Sequence, residues 1–213
     1  HGVKRIDLFM PYIPNARMDR VKNPDEVFTL KYFAEFINDL KLDSVEVLDP
    51  HSNVSTALID NISIIEPTDI ILNLLETVNS DGNTILFFPD EGAMKRYSHI
   101  ASKCDIPFVF GMKNRDWRSG EILGLEVLGE TDAVPGKNIL IIDDICSRGG
   151  TFLHSAKALK AMGAADIDLY VSHLENSVWE GDMIRSGLVR NIYTTNSIYR
   201  FQYKGPVKVV KEY

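Results

Sequence analysis

Two cysteines, Cys104 and Cys146, are all that this 213-residue chain carries. A disulfide-stapled secreted domain draws on a larger, even set, so two separate thiols fit a reducing cytoplasm. No apolar run approaches the roughly 18 residues that a membrane span needs, and no secretory signal precedes the first strand pattern. Positive charge is also scarce: 23 Lys and Arg stand against 30 Asp and Glu, a formal net charge of −7. That balance argues against a general nucleic-acid binder, which carries a basic stripe. It leaves room for a local anion site, because a few cations in one cleft outweigh a distant average. No solenoid-period repeat and no low-complexity tract is visible. The chain is 45% hydrophobic and 25% charged, which is ordinary for a globular protein. Its length suits one large domain or two small ones.

Short apolar runs rich in β-branched residues alternate with amphipathic patterns. The strand candidates are Arg5–Met10, Ser44–Leu48, Thr84–Phe88, Phe108–Phe110, Leu123–Leu128, Asn138–Ile142, Asp166–Ser172, Asn191–Tyr193 and Val207–Val210. Helical spacing is expected over Pro24–Leu42, Asp69–Val78, Ala93–Lys103 and Phe152–Met162, the last stopped by Gly163. Alternation of this kind predicts an α/β fold with mostly parallel sheets and flanking helices. Ile65-Glu66-Pro67 reads as a boundary between two units, since proline restricts the residue before it and starts the next element. The expected division is 1–66, 67–200 and a terminal strand segment 201–213. Gly111–Gly120, with Lys113, Arg115, Trp117 and Arg118, reads as a loop-rich stretch where a mobile flap would sit.

The most informative segment runs from Asn138 to Phe152. A continuously apolar strand ends in Asp143 and Asp144, and the chain then turns through Gly149-Gly150 into a helix starting near Thr151. Ligands of parallel sheets bind beyond the carboxyl ends of the strands. The glycines allow positive φ and close approach of a phosphate to backbone. The first helical turn supplies N–H donors and a favourable dipole. Paired carboxylates accept hydrogen bonds from vicinal hydroxyls, directly or through a metal ion. A turn cap alone would explain one acid and one glycine pair. The whole series of apolar strand, two acids, loop and helix start points instead to a cradle for a phosphorylated sugar.

Ile141–Thr151 resembles the phosphoribosyl pyrophosphate fingerprint of type I phosphoribosyltransferases and phosphoribosyl pyrophosphate synthetases. Four more segments resemble the synthetases alone. Pro11–Arg20 is similar to their Pro-Tyr-Ala-Arg-Gln-Asp-Arg ATP segment, and Leu48-Asp49-Pro50-His51 to their Asp-Leu-His. Pro89-Asp90-Glu91-Gly92-Ala93-Met94-Lys95-Arg96 matches Pro-Asp-x-Gly-x-x-Lys-Arg, and Lys113-Asn114-Arg115 matches the Lys-x-Arg of the catalytic flap. The five segments follow the family's order across nearly the whole chain. Singly, Arg17, Lys113 and Arg115 would read as solvated surface charge, His51 as a loop histidine and Asp90 as a turn residue. The shared order is what lifts them.

The resemblance implies two phosphoribosyltransferase-like units, the first incomplete, and a Mg²⁺-dependent transfer of pyrophosphate from ATP to ribose 5-phosphate. It implies that Arg17, Asp19 and His51 serve ATP and that His51 and Asp90 serve the metal. It places Asp143 and Asp144 on ribose hydroxyls, Ser147, Arg148, Gly149, Gly150 and Thr151 on the 5-phosphate, and Lys113 and Arg115 over the reacting phosphate. It further implies a cytoplasmic homo-oligomer, dimer or hexamer, with no nucleic-acid or membrane partner. Three departures stand out. Ser147-Arg148 replaces the usual Asp-Thr or Thr-Thr, Met18 replaces a glutamine, and nothing matches the family's front-end adenine loop. The alternatives are the same chemistry on ADP-ribose, with Arg148 on a second phosphate; a type I phosphoribosyltransferase; and a non-catalytic paralogue.

Overall fold

The computed structural model describes residues 2–21, 23–115, 122–201 and 205–213, with backbone alone for 113–115 and 122–123. The chain divides into two compact units, His1–Pro67 and Thr68–Tyr213.

The first unit holds β1 (Asp7–Phe9), α1 (Thr29–Asp39), β2 (Ser44–Leu48), α2 (Asn53–Leu58) and β3 (Ile62–Ile65). Its three strands lie parallel in the order β1-β2-β3. Leu30, Ala34 and Ile37 recur at helical spacing on α1 and pack with Val45, Val47, Ile13 and Ile59. The helix is shorter than the expected Pro24–Leu42. Its front is a turn in which Glu26 N–H donates to Asn23 O at 3.0 Å, and Lys41 adopts φ 53 just beyond its end. Polar Asn23-Pro24-Asp25 favours that turn over a helical start. Sequence reading also missed α2 and β3, which are six and four residues long and too short to show a period.

The second unit holds α3 (Thr68–Val78), β4 (Thr84–Phe88), α4 (Glu91–Cys104), β5 (Phe108–Arg115), β6 (Ile122–Gly129), β7 (Asn138–Cys146), α5 (Gly150–Ala161), β8 (Ile167–Leu174), α6 (Asp182–Ser186), β9 (Asn191–Thr195) and β10 (Val207–Lys211). They build a seven-stranded sheet in the order β10-β9-β8-β7-β4-β5-β6. Every neighbouring pair is parallel except β5 and β6. Side chains alternate faces along each strand. Ile139 and Ile141 of β7 join Phe87, Leu169 and Val171 under α5, where Phe152, Ala156 and Leu159 cover them. Leu140 and Ile142 join Leu86, Phe88 and Tyr170 on the opposite face, under Ile71 and Leu75 of α3 and Tyr97 and Ile100 of α4. Coverage on both faces is why β7 and β8 read as continuous apolar runs.

Gly111–Arg115 is strand, which corrects the loop expected there. β5 runs on from Phe108 and pairs antiparallel with β6, Gly111 opposite Val127 and Lys113 opposite Leu125. Strand pairing overrides the polar composition of Lys113-Asn114-Arg115. Trp117 and Arg118 lie outside the described residues. The terminal segment reaches back into the sheet, with β10 parallel to β9.

Candidate functional site

The second unit gathers its chemistry at the carboxyl ends of β4 and β7, adjacent strands with Phe87 level with Ile141. β4 ends in Pro89-Asp90. Asp90 is the N-cap of α4, its Oδ1 accepting from Ala93 N–H at 3.0 Å. One turn and a half later the same helix presents Arg96. Its guanidinium donates to Asp144 Oδ1 at 2.6 Å and reaches Asp143 Oδ1 at 3.4 Å, while lying 4.9 Å from the centre of the Tyr97 ring.

β7 does not stop at Ile142. It carries both acids and runs to Cys146, with Asp143 opposite Val171 and Cys146 opposite Leu174. Because residues alternate, Asp144 continues the Leu140–Ile142 face that α4 covers. That explains why Arg96 meets it. The side chain of Asp144 is 3% exposed and that of Asp143 17%. The acids therefore differ in situation: Asp144 anchors Arg96, and Asp143 keeps an open edge. Asp143 also accepts from the Asp144 N–H at 2.9 Å. Its carboxyl is held well above the ordinary range by burial first, then by the charge and hydrogen bonding of Asp144. Asp90 adds to the rise and Arg96 opposes it. Among the described side chains, Asp90, Asp143 and Asp144 thus lie near Arg96. Arg96 closes the Pro89–Arg96 motif, whose spacing alone assigns it no role. Its partners lie 47 and 48 residues away, a separation no local pattern reveals.

Beyond β7 the loop turns at Gly149, which adopts φ +79, a left-handed conformation that glycine takes without steric cost. A Cβ there would also meet Met183 of α6 at 2.8 Å. Gly150 opens α5 with no atom within 4 Å of where a Cβ would stand. The N–H groups of Gly149, Gly150 and Thr151 find no acceptor among the described residues, as expected for a helix start. Thr151 is exposed.

The loop's other two side chains are engaged differently from what its motif suggests. The Ser147 hydroxyl donates to Glu175 Oε2, which also accepts from Ser177 at 3.1 Å. Arg148 Nη2 donates to Glu180 Oε2 at 3.0 Å, with both side chains well exposed. Glu175 and Glu180 flank the short 3₁₀ turn after β8, and that turn leads into Gly181. A Cβ at 181 would overlap the Arg148 carbonyl oxygen, so the two backbones are pressed together. The segment from Glu175 to Met183 therefore braces the loop. Neither glutamate was singled out by sequence reading, since each lies about 30 residues from its partner.

In the first unit, Arg17 is exposed and Asp19 buried. Asp19 forms a two-pronged bridge to Arg20, Nε–Oδ1 2.8 Å and Nη2–Oδ2 3.0 Å. Arg20 holds the Asp19 carboxyl below its usual range against burial, with help from Ser52 and the nearby His51. Asp19 and His51 are therefore neighbours. The contact follows from backbone: Leu48 N–H donates to Pro11 O at 3.0 Å, which lays the Pro11–Arg20 segment along the end of β2. His51 is half-buried. Lys113 and Arg115 are placed on β5 by backbone, and their side chains lie outside the described residues. His99 and His154 are exposed, as helix-surface histidines should be. His173 is buried and bonded through Nδ1 to Ser197 Oγ at 2.8 Å.

Sequence and structure comparisons agree with this architecture. The family model for the phosphoribosyl transferase domain matches residues 58–188. A ribose-phosphate pyrophosphokinase of Saccharolobus solfataricus is 25% identical over 198 residues, covering 92% of this chain and 67% of the relative. One from Rhizobium meliloti is 31% identical over 204 residues, covering 92% of this chain and 63% of the relative. In structure, a phosphoribosylpyrophosphate synthetase from Mycobacterium smegmatis superposes with a TM-score of 0.79 at 20% identity, covering 99% of this chain and 68% of that one. The fold is phosphoribosyltransferase-like. The chain belongs to the phosphoribosyl transferase domain family, and the relatives it resembles over most of its length are ribose-phosphate pyrophosphokinases. It spans about two thirds of the length of these relatives.

Proposed function

We propose that this chain carries a ribose-phosphate diphosphokinase activity, moving the β,γ-pyrophosphoryl group of ATP to the 1-hydroxyl of ribose 5-phosphate. The products are phosphoribosyl pyrophosphate and AMP. The observation that carries the reading is the juxtaposition at the ends of β4 and β7. There, under-neutralised Asp143 stands beside Asp90, four residues before a loop whose helix-start amides have no acceptor among the described residues. Carboxylate for hydroxyls, amides for phosphate and a second carboxylate for a cation are what a sugar phosphate meeting a metal-bound polyphosphate requires.

On this reading the 5-phosphate rests on the N–H groups of Gly149, Gly150 and Thr151 and on the Thr151 hydroxyl. Asp143 accepts from the ribose hydroxyls. Asp144, locked to Arg96, fixes the strand tip on which Asp143 stands. The 1-hydroxyl oxygen bonds to the β-phosphorus and gives up its proton, and the bridging Pα–O–Pβ bond breaks so that AMP leaves with the electron pair. Lys113 and Arg115 neutralise charge on the transferring group, which positioning and electrostatics largely drive. In the first unit, Arg17, Asp19 and His51 are the residues that the family resemblance assigns to ATP.

The donor set fits Mg²⁺. Asp90 and Asp143 are hard oxygen donors, and Arg96 is the cation that the described residues place beside the acids. Mg²⁺ keeps several waters and needs one or two protein carboxylates beside substrate phosphates. No preformed group of three His, Cys, Asp or Glu able to hold a metal occurs among the described residues, so the ion would arrive with ATP. When bound, it supplies charge neutralisation along the triphosphate. A homo-oligomer and a cytoplasmic location accompany this reading.

A second acceptor, ADP-ribose, is favoured by one observation. Arg148 and Glu180 are both well exposed, so the guanidinium is free to exchange its partner for a second phosphate. Mass spectrometry of products from MgATP with each sugar separates the two. AMP matched by a pyrophosphorylated sugar is expected; steady ADP formation overturns the proposal.

A further inference from the structure

An anion cradle normally turns donors toward its guest, yet one wall of this loop is acidic. The Ser147 hydroxyl gives its hydrogen to Glu175 and so offers a phosphate lone pairs and no donor. Glu175 is held in place from two more sides, accepting from Ser177 Oγ at 3.1 Å and donating its N–H to Cys146 O at 2.8 Å. The one cation in the loop, Arg148, is paired with Glu180. The remaining charged groups on the bracing elements are Asp182 and Arg185, which pair with each other at 3.3 Å. The first turn of α5 carries no acidic residue, and its nearest titratable side chain is the exposed His154. Buried His173 lies two residues before Glu175 and is bonded to Ser197. On the sugar side stand Asp143, Asp144 and Asp90, with Arg96.

We infer that Glu175 is a specificity-determining residue that makes this loop select a singly charged acceptor phosphate, either a phosphodiester or a protonated monoester. The inference rests on the reading that the loop holds the acceptor's phosphate. A phosphate seated beside Ser147 lies roughly 5–6 Å from the Glu175 carboxylate, two hydrogen-bond lengths away. A fixed negative charge at that range disfavours the second ionisation of a monoester. The loop is also open where a diester's second substituent would leave, since nothing lies within 4 Å of a Cβ at Gly150 and Thr151 is exposed.

The test is calorimetric binding to the full chain at pH 5.5 and 7.5, with ribose 5-phosphate and with ribose 5-(methyl phosphate), whose charge is fixed at one. With a second phosphate pKa near 6, the monoanion falls from about three quarters to about 3% over that interval, so the Kd of ribose 5-phosphate is expected to weaken roughly twenty-fivefold. The diester carries any contribution of Asp143 and the neighbouring histidines, so the ratio of monoester to diester Kd, expected to rise about twenty-fivefold, isolates the second ionisation of the phosphate. Glu175→Gln is expected to flatten the monoester's dependence, and Ser147→Ala, which leaves the carboxylate in place, to retain it. Tighter monoester binding at pH 7.5, or an unchanged slope in Glu175→Gln, overturns the inference while leaving the activity standing. Should Glu175→Gln not fold, a constant ratio of diester to monoester Kd across pH in the unmodified chain overturns it equally. Binding of neither sugar at either pH overturns the underlying reading as well.

Discussion

Replacing Arg96 with alanine should destabilise the second unit by about 3 kcal/mol, the low end of what removing one partner from a buried ion pair costs. The low end applies because the Arg96 side chain is 25% exposed while Asp144 is 3% exposed. The loss has two sources. Asp144 is left buried without its 2.6 Å donor, and the contact with Tyr97 at 4.9 Å disappears. For a unit of this size, about 3 kcal/mol at roughly 2–4 °C each lowers Tm by about 6–12 °C. The deficit must also depend on pH. Without Arg96, the Asp143–Asp144 pair loses the charge that opposes its raised carboxyl, so its folded pKa rises further above the unfolded value. Stability that depends on protonation is present at low pH and lost as pH rises through the folded pKa. The deficit is therefore larger at pH 8 than at pH 5. Thermal melts at both values decide this, with Arg96→Ala/Asp144→Asn as the partner experiment. Removing both charges should recover most of the loss. A loss below about 1 kcal/mol, an equal loss at both pH values, or no recovery in the double variant would refute the reasoning.

Asp143→Asn should stabilise the ligand-free protein more at pH 8 than at pH 4, because burial and the Asp144 charge raise the folded-state pKa of this carboxyl above its unfolded value, so that its contribution to stability is lost as pH rises. The same variant should lose acceptor binding, which titration calorimetry would register; unaltered affinity removes Asp143 from the sugar site. Lys113→Ala should lower kcat far more than it raises KM, since its charge is asked to act on the transferring group, and unchanged kcat with raised KM takes it out of the chemistry.

Much of this was legible in the sequence because it is local. β2 and β4 run between the residues their apolar patterns mark, Ser44–Leu48 and Thr84–Phe88, since buried parallel strands need unbroken apolar runs. The turn at Gly149-Gly150 was legible for the same reason: its conformation is written in residue type. β7 was read four residues short because polar Asp143 and Asp144 look like a strand's end, whereas pairing with β8 carries the ladder to Cys146. β5 was cut at Phe110 because only its partner β6 makes Lys113-Asn114-Arg115 extended. The site's ties, Arg96 to Asp144, Ser147 to Glu175 and Arg148 to Glu180, join residues 28 to 48 positions apart. Tertiary folding creates such pairs, and local periodicity carries no trace of them. The motif marks the loop proposed to hold phosphate, and only the fold shows that two of its side chains are already held by carboxylates.

The most direct test follows the phosphorus atoms. ATP carrying ³²P separately at the α, β or γ position is incubated with Mg²⁺, ribose 5-phosphate and the chain, and the label is traced in the separated products. The account predicts that β and γ move together onto the sugar and α appears in AMP. Transfer of γ alone, with β retained in ADP, would contradict it.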